Sequence, residues 1–151
     1  MFRSTKRFSG YSCCFRQWKA EHSHCRFLHG YALSFRVEFS GTLDHRNWVC
    51  DFGSFSRNGV KDRLRFLFDH TTIIAQDDPQ KHYFQEMESK GLVQLRIFEA
   101  VGAEKFAEKV YTEITHLLAR DSLSAGRVQV TRVECFENEN NSAIFIPSPR
   151  Q

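Results

Sequence analysis

Residues 31 to 39 alternate between apolar and polar side chains, and this run constrains the fold more than any other part of the chain. Its apolar members fall on one side and are Tyr31, Leu33, Phe35, Val37 and Phe39. A period of two is typical of a β-strand that buries one face and exposes the other. Cys25 and His29 come just before this strand or at its start. Because a strand in a sheet is rigid, side chains at the start of the strand are held in the fixed positions that catalysis requires.

Two strands, two helices and two more strands follow one another along the chain. The predicted strands carry alternating apolar residues and cover residues 8 to 15, 31 to 39, 127 to 135 and 143 to 146. The predicted helices carry apolar residues at helical spacing and run from Ser54 or Ser56 to about Phe68 and from Ala103 to Arg120. Residues 76 to 94 are polar and ambiguous, although a short helix at 81 to 90 fits there, followed by a short strand at 93 to 97.

The composition favours a folded intracellular protein. The chain has 151 residues, enough for one domain with a core, and its 15 Phe favour a packed interior. The odd count of five cysteines, with Cys13 and Cys14 adjacent, argues against a disulfide framework and favours a reducing cytoplasmic setting. We see no signal-peptide pattern and no long apolar run, so we expect no membrane association. The net charge of +3 comes without a continuous basic run, so nucleic acid is not expected as a partner.

Cys25 is a candidate catalytic base or nucleophile. A lone cysteine is usually a small buried hydrophobe, but here His24, Arg26 and His29 are close in sequence. Positive neighbours lower the pKa of a thiol when they lie close in space. A structural and a catalytic role therefore both stay open at the level of the residues.

Two further candidates contain carboxylates. The Asp69-His70 pair can fix the tautomer of the imidazole if the side chains turn toward each other, although adjacent pairs also occur by chance. Glu134 lies near the end of an apolar strand, where a buried carboxylate needs a partner. The alternative is a solvated glutamate beside the acidic run at 137 to 139. Glu104, at the start of the second helix, is interpreted as a helix-dipole residue.

Together these motifs resemble the 6-pyruvoyl/6-carboxy-tetrahydropterin synthase family. The matching segments are Cys25 to Tyr31 for C-x-x-x-H-G-H, Phe68-Asp69-His70 for L-D-H, and Arg132 to Cys135 for V-x-E-T. The resemblance covers about residues 8 to 146. It implies an α+β tunnelling fold (ββααββ), in which an antiparallel sheet carries two helices on one face and closes into a barrel in an oligomer, commonly a hexamer. Residues 1 to 151 would form one such domain, with a polar tail from about 147.

The resemblance also implies roles for these residues. Cys25 would be the base, His70 supported by Asp69 the second acid/base, and Glu134 the anchor for the amino-pyrimidine edge of a pterin. The substrate would be 7,8-dihydroneopterin triphosphate or a close relative. The product would be 6-carboxy-tetrahydropterin, on the route to 7-deazaguanine compounds such as queuosine, or the 6-pyruvoyl compound. Basic residues near in sequence are candidates for the triphosphate and are Lys6, Arg7, Arg16, Lys19 and Arg26. Alternatives are a metal-free pterin-binding pseudoenzyme and a dihydroneopterin aldolase-like activity.

Zinc is expected from the resemblance, because family members bind it through three histidines and use it to polarise side-chain oxygens of the substrate. His29 matches one ligand, whereas Phe15 and Tyr31 occupy the other two positions. Three interpretations stay open. Neighbouring ligands rebuild the site, the candidates being Cys14, His22 and His24. Alternatively, the protein acts on a pterin without metal, or it binds a ligand and catalyses nothing.

Overall fold

A six-stranded sheet runs through the computed structural model, which describes residues 1 to 149. Its strands are β1 (Phe2–Phe15), β2 (His29–Gly41), β3 (Thr71–Ala75), β4 (Leu95–Phe98), β5 (Val128–Phe136) and β6 (Ser142–Phe145). The α-helices are α1 (Val60–Phe68), α2 (Lys81–Ser89) and α3 (Ala103–Arg120), and short 3₁₀ helices cover His24–Arg26 and Phe52–Ser56. The strand order is β4-β3-β1-β2-β5-β6. The α+β class is confirmed; the last two residues of the predicted polar tail lie outside the described part of the chain.

The sheet is mixed, which corrects the antiparallel expectation. β1, β2, β5 and β6 pair antiparallel, whereas β3 is parallel to both β1 and β4. The sequence did not indicate β3 because every residue of this strand is buried, so it has no alternation. A parallel strand covered on both faces has a continuous buried run instead. The short helix and strand that fitted part of the ambiguous region are α2 and β4, so the fold has a third helix.

β1 is longer than predicted and begins at Phe2 rather than at Phe8. Its first half is largely exposed, so its residues carry little hydrophobic pattern. The pairing with β2 shifts between Phe8 and Tyr11, and Gly10 at this point has a φ of +87°. Such a bulge is readily made by glycine. After it, the odd-numbered residues of β1 face the core.

α1 also begins later than predicted. The chain first forms the 3₁₀ helix Phe52–Ser56, which the Asp51 side chain caps. Ser54 belongs to this turn, because its Oγ donates to the Asp51 carbonyl at 2.6 Å. The backbone N–H of Val60 donates instead to Oδ1 of Asn58 at 3.2 Å. The helical spacing of apolar residues predicts an inward face at Val60, Leu64 and Leu67 or Phe68, and this is confirmed, since all four are buried.

An aromatic core lies between the sheet and the helices α1 and α3. The Phe35 ring of β2 lies 4.8 Å from the Phe68 ring of α1, centroid to centroid. Phe106 of α3 is edge-on to Phe15 of β1 at 5.0 Å and contacts Phe68 at 5.6 Å. Each such pair stabilises the fold by about 1 kcal/mol beyond its buried area. This packing fixes the end of β1 and the start of β2 against α3.

None of the helices within residues 1 to 149 has both the length and the apolar character needed to cross a membrane.

A cluster of charged residues joins α1 to α3. The Glu113 carboxylate accepts Nε of Arg63 at 2.9 Å and lies 2.8 Å from Nζ of Lys109. The Glu113 side chain is only 16% exposed. The hydrogen bond from Arg63 lowers the pKa of Glu113 to about 2, although burial opposes this shift. Ionised Glu113 is therefore stabilised in the folded state.

We expect Glu113→Gln to lower the free energy of unfolding by about 1 to 2 kcal/mol at pH 7. This value allows for solvent screening of the ion pair, because Arg63 is partly exposed. The pKa of Glu113 is depressed from 4.5 to about 2 on folding, so its contribution is present above pH 4.5 and is lost as the pH falls toward 2. Urea unfolding at pH 7 and at acidic pH measures this difference. Glu108→Gln is the matched control, because Glu108 forms a more exposed pair with Lys105 on the same helix. Equal losses in both variants, or a difference that does not vary with pH, would count against this account.

Candidate functional site

Three rings meet where β1 ends and β2 begins. The strand register pairs Phe15 with His29, and Tyr31 follows on the same face of β2 because side chains alternate along a strand. The ring centroids of Phe15 and His29 are 5.1 Å apart, those of His29 and Tyr31 5.2 Å, and those of Phe15 and Tyr31 5.8 Å. Phe15 is fully buried, whereas His29 and Tyr31 are partly exposed. We call Phe15, His29 and Tyr31 the ring cluster.

The backbone sets the orientation of His29. Its Nδ1 lies 2.7 Å from the Phe27 carbonyl oxygen. A carbonyl only accepts hydrogen bonds, so Nδ1 carries the proton in the neutral ring and Nε2 keeps a lone pair. His29 can therefore offer one nitrogen, Nε2, to a ligand.

Two carboxylates lie beside the ring cluster, Glu137 just after β5 and Glu104 in the first turn of α3. Burial raises the pKa of the Glu137 carboxyl and the Glu104 carboxylate raises it further, while His29 and the Tyr31 hydroxyl act in the opposite direction. Burial likewise raises the pKa of the Tyr31 phenol, and Glu137 adds to this effect. The partly buried carboxylate of Glu137, with the exposed carboxylate of Glu104 near it, favours a ligand that presents N–H donors.

A close approach at the start of α3 connects this region to the loop after β1. Gly102 has a φ of +136°, and a Cβ at this position would lie 2.8 Å from Nε2 of Gln17 and 3.7 Å from Oε2 of Glu104. Glycine is favoured here because a side chain would collide with Gln17 and strain the backbone. The backbone N–H of Gln17 donates to the Cys25 carbonyl at 2.8 Å. Gln17 thus ties the segment that carries Cys25 to the start of α3.

Cys25 lies in the 3₁₀ helix His24–Arg26. Ser23 caps this helix, and its Oγ accepts the backbone N–H of Cys25 at 3.2 Å. The thiol is partly buried. The backbone carbonyl of Cys25 accepts the N–H of Gln17, two residues beyond Phe15, so the Cys25 segment lies close to the end of β1.

Asp69 and His70 form a pair at a different position. Nδ1 of His70 lies 3.0 Å from Oδ1 of Asp69, which also accepts the backbone N–H of Ser12 at 3.2 Å. Burial alone would raise the pKa of Asp69, but hydrogen bonds from Ser12 and His70 outweigh it and the pKa is lowered. His70 has a φ of +56°, which is uncommon for a residue other than glycine, and its side chain is 76% exposed. Left-handed residues of this kind cluster at functional sites, so the pair stays a candidate.

In the described part of one chain, Cys25 does not interact directly with the Asp69–His70 pair. The Asp69 carboxylate contacts β1 at Ser12, and the ring cluster includes Phe15 of the same strand. Ser12 and Phe15 are about 10 Å apart along the strand, at 3.3 Å per residue. Within residues 1 to 149, no hydrogen bond or ion pair joins Cys25 to Asp69 or to His70. One chain therefore holds two separate parts of the candidate site.

The residues present do not fit a three-ligand metal site. In the described part of the chain, no group of three His, Cys, Asp or Glu side chains is placed to hold a metal ion. Cys14 faces away from the ring cluster, and its Sγ lies 3.2 Å from Oγ1 of Thr72. His22 and His24 are exposed in the loop after β1. The interpretation in which these three residues rebuild a metal site around His29 therefore gains no support.

Glu134 lies on the other face of the sheet from the ring cluster. Its neighbours Val133 and Cys135 are buried in the core, so alternation turns Glu134 away from the helices. Its Oε2 lies 3.4 Å from Nη2 of Arg132. Glu137, which the sequence analysis assigned only to an acidic run, is the carboxylate beside the ring cluster. Alternation along the strand could have identified Glu137 from the sequence, because residue 137 continues the buried series of residues 133 and 135.

The basic residues suggested for a triphosphate divide into two groups. Arg16 already pairs with the buried carboxylate of Asp78 at 2.8 Å, and Lys19 pairs with Asp77 at 3.0 Å. Lys6, Arg7 and Arg26 take part in no ion pair within residues 1 to 149, and their contacts are hydrogen bonds or aromatic rings. The second group is the one free to meet an anion.

The mixed sheet, the helices across one face, and the cysteine and carboxylates around the ring cluster define a pterin-synthase-like protein. A family model described as 6-pyruvoyl tetrahydropterin synthase matches residues 4 to 147. The chain belongs to the 6-pyruvoyl tetrahydropterin synthase family.

Solved structures support the same fold. An uncharacterized protein from Wolinella succinogenes superposes with a TM-score of 0.78 at 20% identity, covering 96% of this chain and 97% of that chain. The 6-pyruvoyl tetrahydropterin synthase of Caenorhabditis elegans gives 0.64 at 15% identity, covering 97% and 96%. That of Plasmodium falciparum gives 0.62 at 12% identity, covering 95% and 96%. No curated protein sequence matches the chain.

Proposed function

We propose that this protein binds a 7,8-dihydropterin and transfers protons at the carbon side chain of that ligand. The proposed substrate is 7,8-dihydroneopterin triphosphate or a close relative. The observation that carries the proposal is the Glu137 carboxylate at the Tyr31 hydroxyl beside His29, close to the end of β1 where the Cys25 carbonyl accepts the N–H of Gln17. Family membership supports a pterin-synthase-like function in general. By resemblance, the product is 6-carboxy-tetrahydropterin or 6-pyruvoyl tetrahydropterin.

Glu137 is proposed to hold the pterin ring, the role that the sequence analysis gave to Glu134. The 2-amino group and the neighbouring ring N–H of a pterin are two parallel donors, which one carboxylate accepts in a bidentate manner. Glu137 is partly buried and lies near a second carboxylate, Glu104. Donors from a ligand would offset both the burial and the repulsion between these groups, whereas Glu134 already has Arg132 as a partner.

Cys25 is proposed as the base that takes a proton from a carbon of the ligand side chain. The Asp69–His70 pair is proposed as the second acid/base. His70 is exposed and its partner Asp69 contacts β1 at Ser12, whereas the ring cluster lies at Phe15, so we propose that another copy of the chain supplies His70. The outermost strands β4 and β6 support self-association, because an edge strand presents unpaired backbone groups to a second chain. A hexamer is the form proposed by resemblance.

Domain organisation and cellular location are proposed as well. We propose that residues 1 to 151 form a single pterin-synthase-like domain, supported by a sheet whose strands extend from Phe2 to Phe145. A cytoplasmic location is supported by the five free thiols.

Isotope exchange tests this function. The protein is incubated in D₂O with 7,8-dihydroneopterin triphosphate, and deuterium at the side-chain carbons is followed by NMR. We expect exchange about a hundredfold faster than in buffer, the lower range for a positioned base, and loss of this rate in Cys25→Ala. Binding without exchange would favour the pseudoenzyme, and release of glycolaldehyde from dihydroneopterin would favour the aldolase-like activity. If the ligand does not bind at all, the proposal fails entirely.

A further inference from the structure

We infer that the ring cluster takes the place of a metal centre, so that this family member works without zinc and recognises the pterin ring rather than the oxygens of its side chain. The part that concerns the ligand rests on the proposed function. The part that concerns the metal rests on the ring cluster alone and can be tested independently.

The spacing of the rings is that of a three-histidine site. Imidazoles bound to one tetrahedral zinc ion, with Zn–N distances of about 2.0 Å, have ring centroids about 5 Å apart. The three centroid distances in the ring cluster are 5.1, 5.2 and 5.8 Å. The positions of Phe15, His29 and Tyr31 are thus close enough for three histidines to reach one zinc ion, while two of the rings present carry no ligating nitrogen.

Packing holds these rings together in place of coordination bonds. Phe15 is fully buried and stacks edge-on against Phe106 of α3, and the Tyr31 ring is edge-on to His29. His29 is fixed separately by the bond from its Nδ1 to the Phe27 carbonyl. The end of β1, the start of β2 and α3 are therefore joined without a metal ion.

The same residues leave the oxygens of a ligand side chain without a cation. A zinc ion would bind and polarise such oxygens. With only one nitrogen, Nε2 of His29, available in the ring cluster, the free energy of binding would come mainly from Glu137, the carboxylate proposed to hold the pterin ring. Chelators and side-chain hydroxyl groups should then have little effect on affinity.

Zinc retention by four proteins tests the metal inference. They are the natural protein, His29→Ala, the double variant Phe15→His with Tyr31→His, and this double variant with His29→Ala added. After incubation with zinc and dialysis, we expect the natural protein and His29→Ala to retain none. The double variant should retain about one zinc per chain, and adding His29→Ala should abolish this. Cobalt in place of zinc reports through its visible spectrum whether the bound ion is tetrahedral.

About one zinc per chain in the natural protein, lost in His29→Ala, would overturn the inference. A folded double variant that binds neither ion would overturn the claim that the rings keep the geometry of a zinc site. If the double variant folds only when zinc is present, its zinc-dependent circular dichroism supports the inference. Should it not fold even with zinc, the claim about geometry fails, and the comparison of the natural protein with His29→Ala still decides whether zinc is bound.

The ligand part is tested with 7,8-dihydroneopterin and 6-methyl-7,8-dihydropterin, which differ in their side-chain hydroxyl groups. We expect their dissociation constants for the natural protein to agree within about threefold, with or without a chelator. A preference of about tenfold or more for dihydroneopterin that requires zinc would contradict the inference. If neither compound binds, the proposed function fails while the zinc result stands.

Discussion

Mixing the Cys25→Ala and His70→Ala proteins is expected to restore an activity that each variant alone has lost. Each substitution removes a proposed acid/base group and should slow isotope exchange by up to about a hundredfold, to the rate in buffer. The Cys25 segment lies close to the end of β1, whereas the exposed His70 lies near Ser12, about 10 Å away along β1. A complete site would then combine Cys25 from one copy with His70 from another.

The amount of recovered activity follows from the assembly. If equal amounts of the two variants exchange subunits at random, about a quarter of the shared sites in a symmetric oligomer carry both intact residues. Isotope exchange after mixing measures this fraction, and native mass spectrometry confirms that the subunits have mixed. The control mixes Cys25→Ala with a chain that carries both substitutions, which cannot build an intact site. No recovery in a mixed oligomer, or a monomeric mass for the natural protein, would rule out the shared site.

Replacing Glu137 by Gln is expected to weaken dihydropterin binding by about tenfold to a hundredfold, because hydrogen bonds to a charged group contribute about 1.5 to 3 kcal/mol each. The matched control is Glu134→Gln, three residues earlier on the chain. Glu134 faces away from the helices and contacts Arg132, so its replacement should change the affinity by less than about twofold. Fluorescence titration of the two variants against the natural protein measures the difference.

The pH dependence of binding supplies a second measure of Glu137. Burial and the Glu104 carboxylate raise its pKa above the ordinary value of 4.5. Protonation removes a bidentate acceptor, so affinity should fall on acidification and begin to fall above pH 4.5. This loss should be absent in Glu137→Gln and present in Glu134→Gln. A larger effect from Glu134 than from Glu137 would return the anchoring role to Glu134 and overturn the assignment made from the structure.

The sequence predicted elements well where one face is buried and the other exposed. The bounds of α3, Ala103–Arg120, match the expectation because its buried residues repeat at helical spacing. β2 was likewise predicted from its alternation, to within two residues at each end. β3 gave no such signal because both of its faces are covered. The N-terminal half of β1 gave none because it is mostly exposed.

Only part of the candidate site was predicted from the sequence, because local patterns again revealed some residues and not others. Local spacing was enough to mark Cys25, His29 and the Asp69–His70 pair. It was not enough to choose between Glu134 and Glu137, because this choice depends on which face of β5 points to the helices. The separation of Cys25 from His70 follows from the pairing of β1 with β2 and β3, which no local pattern specifies. The resemblance had already assigned Phe15, His29 and Tyr31 to the three ligand positions, and the register of β1 with β2 pairs Phe15 with His29.

Calorimetric titration of the natural protein with 7,8-dihydroneopterin triphosphate, in the presence of a chelator, measures whether it recognises the pterin ring without a metal ion. ATP serves as the comparison, since it carries a triphosphate but lacks the adjacent amino and ring N–H donors that one carboxylate would accept. We expect saturable binding of about one dihydropterin per chain and at least about tenfold weaker binding of ATP. No binding of the dihydropterin, or equal binding of ATP, would show that this protein does not recognise the pterin ring.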